Sequence, residues 1–339
     1  MQNIKILHRY TTDDTMRLIS DEERRIGRMV FEKSFEIKND ESVLIVCDPM
    51  KREEASVFFE SAKRYTSNLS CIIFDGMTEN AQEPPDDILE AMKTSDIAIL
   101  TTSYSLSHTQ ARRVASAAGA RIASSPGITL EMMKRILVAD PRTMRGDSEK
   151  IATLLTNGDK VTITSPQGSN LSFSINGRAG IADTGILNKA GEFENLPAGE
   201  AFISPVERTA NGVLIVDGAI ADIELDALVE IKLRGGIAKS ISGGEAAREL
   251  TRRMNNAGDK ARVLCELGIG TNPAARLSPN VLEAEKVYGT CHIAFGNNST
   301  FGGTNFVLFH TDCVIADPTV IIDNRIVVRN RTILNDGND

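Results

Sequence analysis

The stretch Ser42-Val43-Leu44-Ile45-Val46-Cys47-Asp48 decides the fold of the first half of the chain. An unbroken apolar run closed by an acidic residue reads as a strand covered on both faces, because a strand with one wet face would alternate. Residues 53–65 follow with helical spacing, and Leu69-Ser70-Cys71-Ile72-Ile73-Phe74-Asp75 repeats the buried-strand pattern. That is a βαβ unit.

Working outward, residues 86–93, 109–118 and 130–136 read as helices and residues 96–102 and 121–124 as strands. Strict alternation of this kind predicts αβα layers around a parallel sheet. Upstream, residues 12–38 carry apolar positions at helical spacing (Met16, Ile19, Ile26, Met29, Val30) behind an acidic start, which predicts one long amphipathic helix. No GxGxxG follows the first strand and no GxxxxGK[ST] occurs, so dinucleotide or nucleoside-triphosphate binding has no support.

The pattern changes near residue 155. Lys160-Val161-Thr162-Ile163-Thr164 and Leu171-Ser172-Phe173-Ser174-Ile175 alternate in period two around Pro166-Gln167-Gly168-Ser169-Asn170, a hairpin signal. Strand-like runs recur at 212–216, 228–233 and 263–267 and around His292 and His310, with one helix near 244–256. The expected architecture is an α/β chain with an N-terminal αβα layered domain over 1–150 and a C-terminal β-rich α+β domain over 151–339.

The 339 residues suffice for two cores, and a net charge of −8 with a pI near 5.3 argues against a nucleic-acid or anionic-membrane surface, which would need a basic face. No apolar span approaches the about 20 residues of a membrane helix, and the first residues lack the apolar core of a signal peptide. A cytoplasmic protein with a small-molecule or short-peptide substrate is expected, assembled as a twofold homodimer. Five cysteines without a CxxC pair read as reduced thiols rather than a disulfide framework.

Two of the four histidines fall in Cys291-His292-Ile293-Ala294-Phe295-Gly296 and Phe309-His310-Thr311-Asp312-Cys313-Val314. Side chains at i and i+2 of a strand share a face, so His310 and Asp312 can approach one ion. Imidazole with carboxylate suits zinc, cobalt, manganese or ferrous iron. The same pair also fits a hydrogen-bonded core histidine. Cys265, Cys291 and Cys313 adjoin Glu266, His292 and Asp312, and alternation turns them to the opposite face as small buried hydrophobes.

Two acids in apolar settings join this group, Glu200 in Pro197-Ala198-Gly199-Glu200 and Glu266 in Val263-Leu264-Cys265-Glu266-Leu267. A buried carboxylate without compensation is costly, and a cation removes the difficulty. Pairing with an arginine such as Arg262 or Arg276 would serve equally.

The ordered set of Pro197-x-Gly199-Glu200, the Glu266 strand, Cys291 to Gly296 and His310-x-Asp312 resembles the metal site of the aminopeptidase T/aminopeptidase S family of metallopeptidases. The resemblance implies that Glu200, Glu266, His292, His310 and Asp312 hold divalent ions (Zn, Co or Mn). It further implies that Glu200 and Glu207 are the catalytic carboxylates, Glu207 as proton shuttle. Where those aminopeptidases share a tyrosine shortly after the first histidine, this chain has Ser299. The segment Asn297-Asn298-Ser299-Thr300-Phe301-Gly302-Gly303 and the closing Asp317-Pro318-Thr319-Val320 are also similar to 2,5-dihydroxypyridine 5,6-dioxygenase. That resemblance implies one Fe(II), held in those enzymes by the final His-x-Asp together with a histidine and a serine where this chain has Glu266 and His292.

The function expected is therefore metal-dependent hydrolysis of an amide or peptide bond, with non-heme Fe(II) ring cleavage as the alternative. Asn298, Ser299, Gly302 and Gly303 are the expected substrate-binding residues, since glycine admits close backbone approach and asparagine orients polar groups.

Overall fold

The computed structural model describes residues 5–10 and 16–334. The chain forms two compact units, Met1–Thr143 with Gly185–Ala198, and Met144–Thr184 with Gly199–Asp339. It thus passes between units three times, whereas the sequence suggests a single boundary after residue 150. That position lies inside the continuous helix Arg142–Asn157, and the excursion Gly185–Ala198 carries a short strand that no local pattern marks.

The first unit is built on a six-stranded sheet in the order Lys5–Tyr10, Leu69–Asp75, Val43–Cys47, Ile97–Thr101, Arg121–Ser124, Phe193–Asn195. All pairings are parallel except that of the edge strand Lys5–Tyr10. Val43–Cys47 and Ile97–Thr101 are buried along their whole length, as their unbroken apolar sequence requires. The helices Arg52–Ala62, Asp86–Lys93, Gln110–Ala117 and Leu130–Ile136 occupy the expected places.

The long N-terminal helix is shorter than its periodicity suggests. It runs over Asp21–Arg28 and continues as a π-helical segment, Met29–Ser34; residues 12–15 of the expected span lie outside the described residues. A capping box fixes its start: the Ser20 hydroxyl accepts from the Glu23 amide at 3.3 Å, and Glu23 Oε2 accepts from the Ser20 amide at 2.8 Å. Its end is set by Glu36, whose φ of 47° leaves the helical region.

In the second unit the named strands, among the described residues, all pair antiparallel. An eight-stranded sheet includes the predicted hairpin Lys160–Thr164 and Asn170–Ser174. A six-stranded sheet runs Ala219–Ile220, His310–Ile315, Cys291–Gly296, Leu264–Gly270, Glu200–Ile203, Ile181–Asp183. One hydrophobic cluster joins them: Val161, Ile163, Leu171, Phe173 and Leu214 from the larger sheet meet Ile203, Leu267, Ile269, Ile293, Phe295 and Ile315 from the smaller. Each such fully buried aliphatic or aromatic side chain contributes about 1.5–3 kcal/mol. This core claims one face of the smaller sheet. Among the described residues no helix is long and apolar enough to cross a membrane.

Candidate metal centre

Register decides what the other face of the smaller sheet carries. Glu266 stands opposite Ala294, and Ala294 opposite Asp312; His292 stands opposite Gly268, His310 opposite Gly296, and Glu200 opposite both Gly270 and Asp183. Period-two alternation then gathers Asp183, Glu200, Glu266, His292, His310 and Asp312 on one face, while Ala201, Leu267, Cys291 and Cys313 enter the core. Cys265 departs from the expected opposite face. A bulge between Leu264 and Glu266 adds a residue to the strand, and Cys265 Sγ lies 3.7 Å from His310 Nδ1.

The side chains converge. Glu266 spans the group, with Oε1 3.6 Å from His292 Nε2 and Oε2 3.3 Å from His310 Nε2. Asp312 Oδ1 is 3.4 Å from His310 Nε2 and 4.0 Å from His292 Nε2, and Glu200 Oε2 is 3.4 Å from His292 Nε2. Two trios, Glu200–Glu266–His292 and Glu266–His310–Asp312, each present ligand atoms within 4.8 Å of one another. Glu266 belongs to both.

A third trio, Glu285–His292–Asp312, brings in a residue that sequence reasoning missed. Glu285 follows the short helix Val281–Ala284 and is buried. Beside it Lys286, fully buried, pairs with Glu200, with Glu285 at 2.9 Å and with Asp183 at 3.2 Å. Arg262, weighed as a partner, is engaged elsewhere: it donates to the Ala238 carbonyl at 3.1 Å and to Asn255 Oδ1 at 2.8 Å.

Five carboxylates thus surround one ammonium and two imidazoles, and the protonation balance records the excess of negative charge. Burial pushes the Glu200 carboxyl up to about 8 against the pull of Lys286. Burial also opposes ionisation of Glu266, but hydrogen bonds with His292 and His310 outweigh it and hold that carboxyl well below its ordinary range. The imidazoles, which burial alone would neutralise, are instead raised, His292 to about 9 by Glu266, Glu200 and Asp312, and His310 by Cys265 and Asp312 beside it. Glu200 Oε2 and His292 Nδ1 are buried without a hydrogen-bond partner. Oxygen and nitrogen donors with surplus negative charge and an orphaned carboxylate oxygen fit a divalent cation. His310 is oriented for it: Nδ1 lies 3.0 Å from the Asn297 carbonyl, so donation there leaves the Nε2 lone pair facing Glu266 and Asp312.

The remaining expected residues do other work. Glu207 is not poised as a proton shuttle, because its carboxylate is saturated. One oxygen pairs with Arg178, and the other accepts from the Thr304 amide at 2.6 Å, Thr304 Oγ1 at 3.1 Å and Asn298 Nδ2 at 3.1 Å. Burial would raise this carboxyl, but these partners together lower it. Asn298 is fully buried and its amide is spent internally, on Ser204 Oγ at 2.9 Å, on Glu207, and as acceptor from the Asn305 amide at 2.8 Å. It organises the loop instead of offering an amide to substrate. Gly303 packs against it, since a Cβ there would fall 1.9 Å from Asn298 Cγ. Ser299 is exposed and donates to Asn297 Oδ1 at 2.8 Å, and Gly302 is exposed at a φ of 101°. Besides Asn297, the loop brings Phe301 to the centre, edge-on to the His310 ring at 6.2 Å and to Phe202 at 5.7 Å.

Comparison with known proteins agrees with the architecture. The family profile of 2,5-dihydroxypyridine 5,6-dioxygenase (NicX) matches residues 27–335. A 2,5-dihydroxypyridine 5,6-dioxygenase of Pseudomonas putida KT2440 is 23% identical over 192 residues, covering 52% of this chain and 54% of that protein, so the alignment spans about half of the curated relative. Among solved structures, the 2,5-dihydroxypyridine dioxygenase of P. putida KT2440 superposes with a TM-score of 0.81 at 18% identity, over 94% of this chain and 99% of that one. Wild-type AmpT from Thermus thermophilus gives 0.66 at 14% identity, over 93% and 99%. At such identities the structural matches speak for the fold alone, but the profile covers nine-tenths of the sequence, and the chain belongs to the 2,5-dihydroxypyridine 5,6-dioxygenase (NicX) family.

Proposed function

We propose that this enzyme is a metal-dependent hydrolase that cleaves an amide-type bond of a small molecule or short peptide at a two-ion centre. The observation that carries the reading is the double membership of Glu266, whose two oxygens face the two histidines, one in each of two trios of possible donors. Fold alone leaves the chemistry open, because reactions reside in sites grafted on folds.

Glu200 Oε2, Glu266 Oε1 and His292 Nε2 would hold one ion; Glu266 Oε2, His310 Nε2 and Asp312 Oδ1 would hold the other. Zinc, cobalt or manganese bound there supplies Lewis acidity and lowers the pKa of water. The chain does the rest. The Asn297 carbonyl holds the His310 proton on Nδ1, Phe301, edge-on to Phe202, lies against the His310 ring, and Glu285 stands beside His292 and Asp312.

The test is metal analysis with turnover. Glu266→Ala and His310→Ala lower both metal content and oxygen-independent hydrolysis of aminoacyl amides; unchanged metal stoichiometry in both variants sinks the assignment. A second reading, ferrous ring cleavage of a heteroaromatic acid, is favoured by family membership and by the presence of two histidines and one carboxylate in His292, His310 and Asp312. It requires about one iron per chain and oxygen consumption, so an anaerobic assay separates the two.

A further inference from the structure

Lys286 has no place in either ligand set, yet it is fully buried in the middle of the acids. Its backbone is fixed: the Asn272 amide donates to the Lys286 carbonyl at 2.9 Å and the Lys286 amide to the Glu283 carbonyl at 3.0 Å. Gly270 makes room for this segment, since a Cβ there would fall 2.1 Å from the Val287 carbonyl oxygen and 2.7 Å from the Lys286 carbonyl carbon. The ammonium donates to Glu200 Oε1 and lies within ion-pair distance of Glu285 Oε1, at 2.9 Å, and Asp183 Oδ2, at 3.2 Å.

Glu200 is therefore divided. Oε1 belongs to Lys286, and Oε2, buried without a hydrogen-bond partner, lies 3.4 Å from His292 Nε2. Glu266 and Asp312 meet only the two histidines in their ion pairs, with no lysine or arginine, among the described residues.

We propose that Lys286 makes the Glu200–His292 end of the centre the weaker, exchangeable ion position and leaves the Glu266–His310–Asp312 end as the tight one. The inference rests on reading the cluster as a two-ion centre. An ion at the first position shares one carboxylate with a permanent cation, and little water intervenes to screen their repulsion. The same ammonium also draws on Glu285, the extra carboxylate that His292 and Asp312 could otherwise recruit. The lysine acts as a built-in monocation that limits how strongly this end competes for a divalent one.

The experiment is a titration of EDTA-stripped full-length protein with Mn2+, by calorimetry and elemental analysis, for wild type, Lys286→Met, Lys286→Arg and His310→Ala. The wild type shows two affinity classes, and His310→Ala loses the tighter. Lys286→Met, similar in length and uncharged, tightens the weaker class on the order of tenfold, while Lys286→Arg keeps the wild-type pattern. A weaker class that is unmoved or loosened in Lys286→Met overturns the inference, and so does a Lys286→Met chain that cannot be recovered folded in Mn2+. If the wild type takes up a single ion, the two-ion reading fails by itself. The role of the lysine then stands only if Lys286→Met gains a second ion, and falls if it does not.

Discussion

Gly268 lies beneath the imidazole of His292: a Cβ on the glycine would fall 2.1 Å from Cε1 and 2.3 Å from Nε2 of the ring. The two are register partners on neighbouring antiparallel strands, and Gly268 is not among the glycines with positive φ. Alanine therefore fits the backbone, and the substitution tests room alone. Gly268→Ala is expected to push the ring off its seat at a cost of about 1–3 kcal/mol, typical of overpacking, and to lower metal content. Urea denaturation with EDTA gives the first quantity and elemental analysis the second. A Gly268→Ala protein with wild-type metal content would refute the idea that this seat fixes Nε2.

Because Glu266 serves both trios while Glu200 and Asp312 serve one each of that pair, single substitutions should not be equivalent. A ligand that binds only the folded state at about 100 times its Kd adds about 2.7 kcal/mol per site. Glu200→Ala and Asp312→Ala are each expected to forfeit part of the Mn2+-induced rise in thermal midpoint, and Glu266→Ala nearly all of it. Equal losses in the three variants would exclude a bridging role. EDTA should return the wild type to the midpoint of Glu266→Ala, corrected for that variant's own effect without metal.

What the sequence made legible follows from which interactions are local. Unbroken apolar runs such as Val43 to Cys47 mark the parallel strands, alternation marks the 160–174 hairpin, and His310-x-Asp312 declares a shared face because strand geometry alone puts it there. Glu285 and Lys286 stayed hidden, since charged residues after a four-residue helix look like solvent-exposed loop and only the distant Glu200 and Asp183 bury them. Gly268-Ile269-Gly270 ends the strand Leu264–Gly270. Its glycines are needed for the close approach of His292 and of the Lys286 segment, contacts made across sequence separations that no window spans. The Cys265 bulge has the same origin: pairing with Cys291–Gly296 creates it, and nothing in the local pattern reveals it.

Glu207 holds the loop over 298–304 through Asn298 and Thr304 while Arg178 holds Glu207. That loop brings Phe301 to the His310 ring, and the adjacent Asn297 carbonyl meets Nδ1. Glu207→Ala is expected to release the loop, raising KM several-fold with metal content retained, whereas Glu207→Gln keeps some hydrogen bonds and falls between. Amide exchange checks the mechanism: protection should drop at Thr304 and Asn305 and persist along Cys291–Gly296. If exchange at Thr304 is unchanged in Glu207→Ala, the clamp is not what orders the loop.

In the first unit, Glu23 provides the clearest pH dependence away from the centre. Its carboxylate pairs with Arg17 Nη2 at 2.6 Å and closes the capping box on Ser20 at 2.8 Å, and the Arg17 hydrogen bond first among these causes lowers its pKa to about 2 despite burial. A folded-state pKa below the unfolded value means stabilisation that is complete above the unfolded value, near 4.3–4.5, and is lost as pH falls towards about 2. Because Arg17 is partly exposed, solvent screens the ion pair, and the capping bonds make up much of an effect of about 1–2 kcal/mol. Urea unfolding of the wild type at pH 5 and pH 3, compared with Glu23→Gln, isolates the contribution: the variant should be weaker at pH 5 and should lose less on acidification. Parallel pH profiles for the two proteins would show that Glu23 does not titrate with folding and that the helix start at Asp21 is held by Ser20 alone.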